Sequence, residues 1–244
     1  EEMLAWIPVT TDGLIEDVMV LPAADGSLDD EVYYIVKRTI NGSTVRYIEK
    51  WAQEINCRGG QSSHVADSHV VYSGAATTVV TGLSHIEGKS VVVWADGQDV
   101  GTDDSVVPWV QRYTVSGGQI TLATAASEIV VGLGYTAQFK SAKLGQNFKG
   151  EALLTRPKKI DHIGLILADT HPRGLQFGPS YDYLDDMPLM EGGTEVGTAT
   201  ETEYDEGTIE FPGTWTPDSR VCLQAVAPRP VTVLAVSIDM KEGK

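Results

Sequence analysis

The chain has 244 residues, of which 18 are Lys or Arg and 34 are Asp or Glu, so its formal net charge is −16 and its pI is near 4.6. This balance disfavours a groove that holds nucleic acid by neutralising phosphates, although an acidic surface suits a polymer that must slide past without sticking. No apolar run approaches the ~18 residues of a membrane span, and the length suffices for one large domain or several small ones.

The first strong pattern lies at residues 31–51, EVYYIVKRTINGSTVRYIEKW, where two alternating runs flank Asn41 and Gly42. This arrangement predicts a β-hairpin, because both central residues of a type I′ turn need positive φ. Such a turn also fixes the register of the two strands. The predicted cross-strand pairs are Ile40 with Ser43, Thr39 with Thr44, Arg38 with Val45, Lys37 with Arg46, Val36 with Tyr47, Ile35 with Ile48, Tyr34 with Glu49, Tyr33 with Lys50 and Val32 with Trp51.

The predicted register gives the hairpin two different faces. The face that carries Val36 and Arg38 is largely apolar, and Trp51 at its end is a candidate interface residue, with packing in the intrachain core as the alternative. The other face places Lys37 opposite Arg46, which is unfavourable unless a carboxylate lies between them. We therefore expect Lys37 and Arg46 to meet an acidic group from another segment or another subunit, and we predict that both are interface residues.

Short strand-like segments continue along the chain, separated by turn signals such as Asp96-Gly97. Their spacing predicts an all-β protein of antiparallel hairpins that form blade, sandwich or barrel-like modules with very little helix. The best helical candidate, residues 138–144, is short and ends at Gly145. The predicted strands are 15–21, 32–40, 44–51, 68–72, 77–81, 90–94, 109–115, 119–122, 128–133, 159–168, 208–211, 219–226 and 230–238.

Composition along the chain suggests three regions. Residues 1–66 contain the hairpin and would form part of a larger, propeller-like domain. Residues 67–140 predict a discrete small β module, because polar segments bracket them. Residues 141–244 predict a C-terminal β domain, in which 182–205, rich in Asp, Glu, Gly and Thr, forms a long acidic surface loop.

The cysteines and histidines give no strong site signal. Cys57 and Cys222 lie far apart without CxxC or Cys/His spacing, so they predict free buried thiols and neither a zinc site nor a disulfide framework. The one suggestive cluster is DHIGLILADTH at 161–171. On a strand, His162 and His171 would point to opposite faces roughly 30 Å apart at ~3.3 Å per residue, which is too far to share a metal ion.

Two further motifs match a functional pattern only in form. GLGYTA at 132–137 fits GxGxxA after a strand, but the helix and the acidic residue of a dinucleotide-binding βαβ unit are not evident. DGQDVGTDD at 96–104 holds four Asp residues that could bind Ca²⁺, but it lacks the ligand order of an EF-hand, so a solvated turn is favoured. We predict no catalytic residue, no cofactor and no metal.

Four segments carry a family resemblance: EVYYIVKRTINGSTVRYIEKW at 31–51, TTVVTGLSHIEGKSVVVWADGQDV at 77–100, SGGQITL at 116–122 and VVGLGYTAQFKS at 130–141. In this order they resemble the tail nozzle (tail tubular protein B) family of short-tailed bacteriophages and related tail-hub or stabilisation proteins. Residues 158–240 are similar to the C-terminal part of the same proteins. Gly134 in GLGYTA departs from the family pattern, in which Pro is expected. The chain begins with Glu1-Glu2 and not Met, so we expect a fragment of a longer polypeptide or a processed product, and the resemblance implies a C-terminal portion.

The resemblance implies a non-enzymatic virion protein of the phage tail, made in the host cytoplasm. It implies a homo-oligomeric ring, hexameric in relatives, that closes the portal and conducts DNA during ejection without binding it specifically. Other tail or portal-adaptor proteins would be partners. The acidic composition fits a channel whose lumen carries more Asp and Glu than Lys and Arg, and a neighbouring subunit could supply the carboxylate for Lys37 and Arg46.

The alternative is a glycan-binding or glycan-cleaving tail domain, because phage tails often meet polysaccharide and this chain has acids near aromatics. Glycoside hydrolysis needs two carboxylates ~5 to 9.5 Å apart with separated pKa values, which a sequence cannot place. Acids in a Gly/Thr-rich loop are usually solvated. The candidate residues are Asp182, Asp185, Asp186, Glu203, Asp205 and Glu206, beside Tyr181, Tyr183, Tyr204 and Trp215.

Overall fold

The computed structural model describes residues 7–23, 30–103, 110–145, 154–188, 190–191, 194–195 and 201–243. The chain is mostly β, with 60% in strands and 4% in helical turns, and none of its antiparallel sheets closes into a barrel within these ranges. The predicted all-β class is therefore confirmed. No helix in the described ranges is both long and apolar enough to span a bilayer.

Strands account for nearly all of the regular structure, and single turns of 3₁₀ helix occur at Glu54–Cys57 and Ser84–Ile86. The strands are β1 Leu14–Leu21, β2 Glu31–Ile40, β3 Ser43–Lys50, β4 Asp67–Thr81, β5 Ser90–Ala95, β6 Gln98–Asp99, β7 Thr102–Asp103, β8 Val110–Gln111, β9 Tyr113–Thr114, β10 Gln119–Leu133, β11 Thr136–Lys140, β12 Lys158–Thr170, β13 Leu175–Ser180, β14 Tyr183–Asp186, β15 Met190–Glu191, β16 Thr194–Glu195, β17 Glu201–Glu210, β18 Cys222–Val226 and β19 Thr232–Glu242.

The strands form four larger sheets, in which all pairs are antiparallel. The N-terminal sheet has the order β1-β2-β3, and the central sheet has the order β4-β10-β5-β6 with β9 also on β5. The four-stranded sheet has the order β11-β18-β13-β14, and the C-terminal sheet has the order β17-β12-β19. Two further hairpins pair β7 with β8 and β15 with β16.

The central sheet has a core on each side of β5, whose sequence SVVVWA is apolar at consecutive positions. Val91 and Val93 join one buried cluster with residues of β10 such as Ile129. On the opposite face Val92 packs against Ala227. A strand buried on both faces needs such a continuous apolar run, because alternation would place polar side chains in one of the cores.

The four-stranded sheet and the C-terminal sheet enclose a second core. It is built from alternate residues of β12, such as Ile163 and Leu165, and from Leu175 and Phe177 of β13. The Phe177 ring stacks on Phe211 with centroids 6.1 Å apart. Burying each of these side chains contributes about 1.5–3 kcal/mol, so this cluster holds the two sheets together.

Two sequence-based expectations are wrong. Residues 138–144 do not form a helix: Thr136–Lys140 is strand β11, whose backbone is paired along its whole length with β18. Residues 182–205 are not one loop, because β14 begins at Tyr183 and β17 begins at Glu201. Strands β11 and β17 pair with β18 and β12, which are distant in the chain, and local composition does not report such partners. Strand β14 instead forms a hairpin with the preceding strand β13. The predicted regional boundaries remain predictions.

Candidate assembly surface

The hairpin turn has the geometry that the sequence predicts. Asn41 and Gly42 occupy the left-handed region, with φ of 50° and 77°. Every predicted cross-strand pair of residues 33–50 is present, and the Trp51 amide donates to the Val32 carbonyl at 2.8 Å. The predicted register is confirmed, and it determines which side chains share a face.

A β-bulge in β1 supplies the carboxylate that Lys37 and Arg46 require. The register of β1 on β2 shifts between Ile15 and Asp17, which makes Glu16 the extra residue. Arg46 Nε donates to Glu16 Oε2 at 2.6 Å, and Lys37 Nζ lies 3.5 Å from Glu16 Oε1. The hydrogen bond from Arg46 holds the pKa of Glu16 below its ordinary value. The expected acidic neighbour is therefore present, and it belongs to the same chain.

A second carboxylate on the same sheet has a similar role. Lys50 Nζ donates to Glu31 Oε1 at 2.5 Å, and the Tyr33 hydroxyl donates to Glu31 Oε2 at 2.8 Å. The hydrogen bond from Lys50 lowers the pKa of Glu31. Exposed ion pairs contribute little stability, so the main effect of these pairs is to keep the cations of the face locally neutralised.

Large apolar side chains surround these ion pairs. Leu14 lies opposite Lys37, and Met19 lies opposite Tyr33. The exposed fractions are 57% for Leu14, 54% for Met19 and 75% for Ile48. We call this surface the outer face of the N-terminal sheet. The outer face comprises Leu14, Glu16, Asp17, Met19, Leu21, Glu31, Tyr33, Ile35, Lys37, Thr39, Thr44, Arg46, Ile48 and Lys50.

The opposite face is less apolar than predicted because it contains a buried ion pair. Val36 is fully buried there, and the Arg38 guanidinium, which is also buried, pairs with the Glu49 carboxylate. Arg38 Nη1 donates to Ser68 Oγ at 2.6 Å, and Arg38 Nη2 donates to Thr11 Oγ1 at 2.9 Å. These contacts join the hairpin to the start of β4. Removing one partner would leave a buried charge unpaired, which is strongly destabilising.

Trp51 lies at the uncovered end of that face. Its ring contacts Tyr34 edge-on with centroids 6.4 Å apart, and the side chain is 48% exposed. Burial and the charge of Glu49 raise the pKa of Tyr34 to about 12. Trp51 is thus neither a core residue nor free of contacts, and its role at an interface stays a prediction.

Of the acidic candidates of a glycosidase, Asp185 and Asp186 do not face each other. Asp185 and Asp186 lie on adjacent positions of β14, so their side chains point to opposite faces. Tyr183 on the same strand is 73% exposed. Strand β17 contains the backbone of Glu203, Tyr204, Asp205 and Glu206, whose side chains lie outside the described part of the structure.

Asp186 instead ends a row of side chains that the sequence did not reveal. Gln138 Nε2 donates to Gln224 Oε1 at 2.8 Å, Gln224 Nε2 donates to Gln176 Oε1 at 3.2 Å, and Gln176 Nε2 donates to Asp186 Oδ1 at 2.8 Å. We call these four residues the glutamine ladder. The polar positions of TAQFK, alternating with Ala137 and Phe139, were the available signal for its first strand.

The histidines are dispersed in the structure. His162 Nδ1 lies 3.4 Å from Asp161 Oδ2, whereas the His171 ring packs edge-on against Trp94 at 6.1 Å. His64 and His69 lie together, with ring centroids 4.9 Å apart. In the described ranges no group of three or more His, Cys, Asp or Glu residues is arranged to hold a metal ion.

The Asp residues of the 96–104 segment are used for folding. Asp96 Oδ1 accepts the Ser127 and Glu128 amides at 3.1 and 2.9 Å. Asp99 forms an ion pair with Arg229. These two carboxylates have different partners and do not converge on one point, while Asp104 lies outside the described residues.

A cavity of about 180 Å³ lies beside the 3₁₀ turn at Glu54–Cys57. Cys57, Val65, Tyr135 and Ala137 are among the residues that line it. Burial raises the pKa of the Cys57 thiol and raises that of Tyr135 to about 12, so both groups are protonated at neutral pH. The lining also includes the charged residues Glu54, Arg58 and Arg229, and neither Cys57 nor Tyr135 is an activated nucleophile there.

Comparison with known proteins does not identify the chain. No protein-family model matches it, and no curated protein matches it significantly.

Proposed function

We propose that this protein is a structural component of a short-tailed phage tail, which assembles into a ring that closes the portal and conducts DNA. The observation that carries the proposal is the outer face of the N-terminal sheet, where large apolar side chains and ion pairs lie in solvent on a confirmed strand register. The order of the four family-like segments supports the same function. The protein acts through assembly in this proposal, and no residue has a catalytic role.

The exposure of the outer face favours a protein partner. Single exposed apolar residues are normal on a soluble protein, but a contiguous group marks an interaction surface. Leu14 and Met19 belong to β1, which is the edge strand of its sheet, and Ile48 lies on β3 at the other edge. Fully burying a side chain such as Ile48 contributes about 1.5–3 kcal/mol, so a few such residues can support an interface.

The net charge of −16 supports passage of DNA in preference to its capture. A protein that holds duplex DNA gains affinity from Lys and Arg that replace counterions, and this chain has few of them. Lys37, Arg46 and Lys50 each already face a carboxylate. In the proposed ring, the lumen is lined by more Asp and Glu than Lys and Arg.

Sedimentation velocity and negative-stain images of the purified chain test this function. We expect closed rings, and we expect Met19→Glu and Ile48→Glu to shift the mass towards the single chain because each buries a charge at the contact. Leu234→Glu is the control, since Leu234 is 63% exposed on a different sheet. Duplex DNA should not be retained at low salt.

A single-chain mass at all concentrations, together with retention on polysaccharide, would contradict the assembly proposal. That outcome would favour the glycan-binding alternative, for which the exposed Tyr183 beside the acids of β14 is the supporting observation.

A further inference from the structure

The glutamine ladder crosses the whole four-stranded sheet, from one edge to the other. Gln138 lies on β11 and Asp186 on β14, and these are the two outer strands of the order β11-β18-β13-β14. The cross-strand pairs Gln138 with Gln224, Gln224 with Gln176 and Gln176 with Asp186 are in direct register. The ladder therefore has two ends, and each end lies at a sheet edge.

The two ends have complementary hydrogen-bonding capacity. A side-chain amide has two N–H donors and a carbonyl acceptor, and Gln138 uses one donor within the ladder. Asp186 accepts through Oδ1 from Gln176, and its second oxygen can accept another bond. Among the described residues neither side chain has a further partner. One end can thus donate a hydrogen bond, and the other can accept one.

At both sheet edges, the main-chain N–H and C=O groups of the ladder residue point away from the sheet. Just outside the two ends of β11, the Tyr135 carbonyl accepts from the Ala227 amide and the Ser141 amide donates to the Val221 carbonyl. These bonds fix the alternation along the pair β11–β18, so the backbone groups of Gln138 and Lys140 point away from the sheet. Directly after β14, the Met187 amide donates to the Leu175 carbonyl of β13, so the backbone groups of Asp186 point outward. Gln138 and Asp186 are therefore both positioned to form a hydrogen-bonded pair with an added strand.

We propose that the β11 edge of one copy pairs with the β14 edge of a second copy, with Gln138 opposite Asp186 of that copy. Neighbouring strands of this sheet run in opposite directions, so β11 and β14 of one copy are antiparallel. A rotation about an axis parallel to the strands preserves strand direction, so β11 of one copy can extend the sheet beside β14 of the next as an antiparallel pair. The register also places Lys140 opposite Leu184 of the second copy. The ladder then continues through the contact.

Opposite charges on the two edges favour this pairing. Lys140 on β11 is exposed, and the hairpin that contains β14 carries Asp182, Asp185 and Asp186, all of them exposed. An acidic edge that meets a basic one selects the partner and its register. Because the two edges are different surfaces, the contact is heterologous, and successive copies form a closed ring or an open filament.

This inference rests on the proposed self-assembly and specifies one of its contacts. Cysteine cross-linking tests it in a Cys57→Ser background, in which Cys222 remains because it is fully buried. Hydrogen-bonded antiparallel pairs have Cα atoms about 5.5 Å apart, which a disulfide spans. We expect Gln138→Cys mixed with Asp186→Cys to form a linked dimer under mild oxidation, and the double variant to form a ladder of linked oligomers.

The controls separate the outcomes. Each single variant alone should stay unlinked, and a dimer of Gln138→Cys alone would overturn the proposal in favour of a two-fold β11 contact. Self-association without any cross-link would overturn the proposal and leave the proposed function standing. A single-chain mass for the unmodified protein would overturn both.

A proline substitution provides an independent test of the main-chain contact. The Gln138 amide points outward, so Gln138→Pro removes a donor that the chain's own sheet does not use, and edge strands tolerate Pro. We expect Gln138→Pro to self-associate about tenfold more weakly than Gln138→Val. Both variants lack the side-chain amide of the ladder, but only Gln138→Val retains the main-chain N–H. Equal association of these two variants, with matched circular dichroism, would overturn the pairing.

Discussion

Asp99 and Arg229 form a buried ion pair although they lie 130 residues apart in the chain. Arg229 Nε donates to Asp99 Oδ2 at 2.8 Å, and the side chains are 3% exposed for Asp99 and 9% for Arg229. Asp99 Oδ1 also accepts the amides of Gly101 and Thr102. The pair therefore joins strand β6 of the central sheet to the turn that follows β18.

Removing the Asp99 carboxylate should strongly destabilise the fold. Asp99→Ala leaves the Arg229 charge buried without its carboxylate and removes the acceptor of the Thr102 amide. We expect a loss of about 3–5 kcal/mol in the free energy of unfolding, measured with urea. Asp218→Ala is the control, because the Asp218–Arg220 pair is exposed and such pairs contribute at most about 1 kcal/mol. Similar losses for both variants would contradict the structural role of the Asp99 pair.

The hairpin turn should be sensitive to a side chain at Gly42. Its φ of +77° is unfavourable for other residues although no atom lies near its ideal Cβ position, so Gly42→Ala should destabilise the fold by about 1–2 kcal/mol. Gly207 also has open space but lacks a positive φ, so Gly207→Ala should be neutral or stabilising by up to about 1 kcal/mol. Thermal unfolding of the two variants measures the difference, and a harmless Gly42→Ala would contradict the predicted turn geometry.

His64 and His69 should make stability depend on pH. Burial lowers the pKa of both below 6.5, and the neighbouring His69 lowers that of His64 further. The Ala66 carbonyl, Asp67 and Glu49 oppose the shift at His69. The unfolded chain thus binds protons at a higher pH than the folded one, so stability is complete above pH 6.5 and decreases as the pH falls towards the lowered folded values.

The measurement is the difference in unfolding free energy between about pH 7.5 and about pH 5.5. We expect this difference to be smaller in the double variant His64→Gln/His69→Gln than in the unmodified chain. An equal pH dependence in both proteins would show that this pair does not titrate as the geometry requires.

The two thiols should react at different rates. Burial raises the pKa of both Cys57 and Cys222, so each has less thiolate at neutral pH than a free cysteine. Cys222 is fully buried, whereas Cys57 is partly accessible. We expect iodoacetamide to modify Cys57 first in the folded protein and both residues at one rate in urea, followed by intact mass. Faster labelling of Cys222 would contradict its burial.

The sequence predicted local structure better than long-range pairing. Asn41 and Gly42 fix the hairpin register because a two-residue turn leaves no freedom in the alignment of its strands. The like-charge pair of Lys37 and Arg46 likewise predicted an acidic neighbour, which the structure contains. The identity of that neighbour, Glu16, depends on a bulge in β1, and no local signal reports which residue a bulge displaces.

The glutamine ladder shows why a site composed of distant segments escapes prediction. Gln138 and Gln224 are 86 residues apart, and Gln176 and Gln224 are 48 apart. Each glutamine alone is an ordinary surface residue. Their alignment follows only from the order of strands in the sheet, which composition and periodicity do not determine. Even the strand that carries Gln138 was expected to be helical.

The ladder also has a mechanical consequence. Its side-chain hydrogen bonds run across the strands, in the same direction as the main-chain bonds and beside them. A lateral load that spreads the four-stranded sheet must therefore break both sets of bonds at the same strand boundary. Around the row that joins Gln138 to Asp186, we therefore expect the sheet to resist peeling more than its backbone pairing alone would allow.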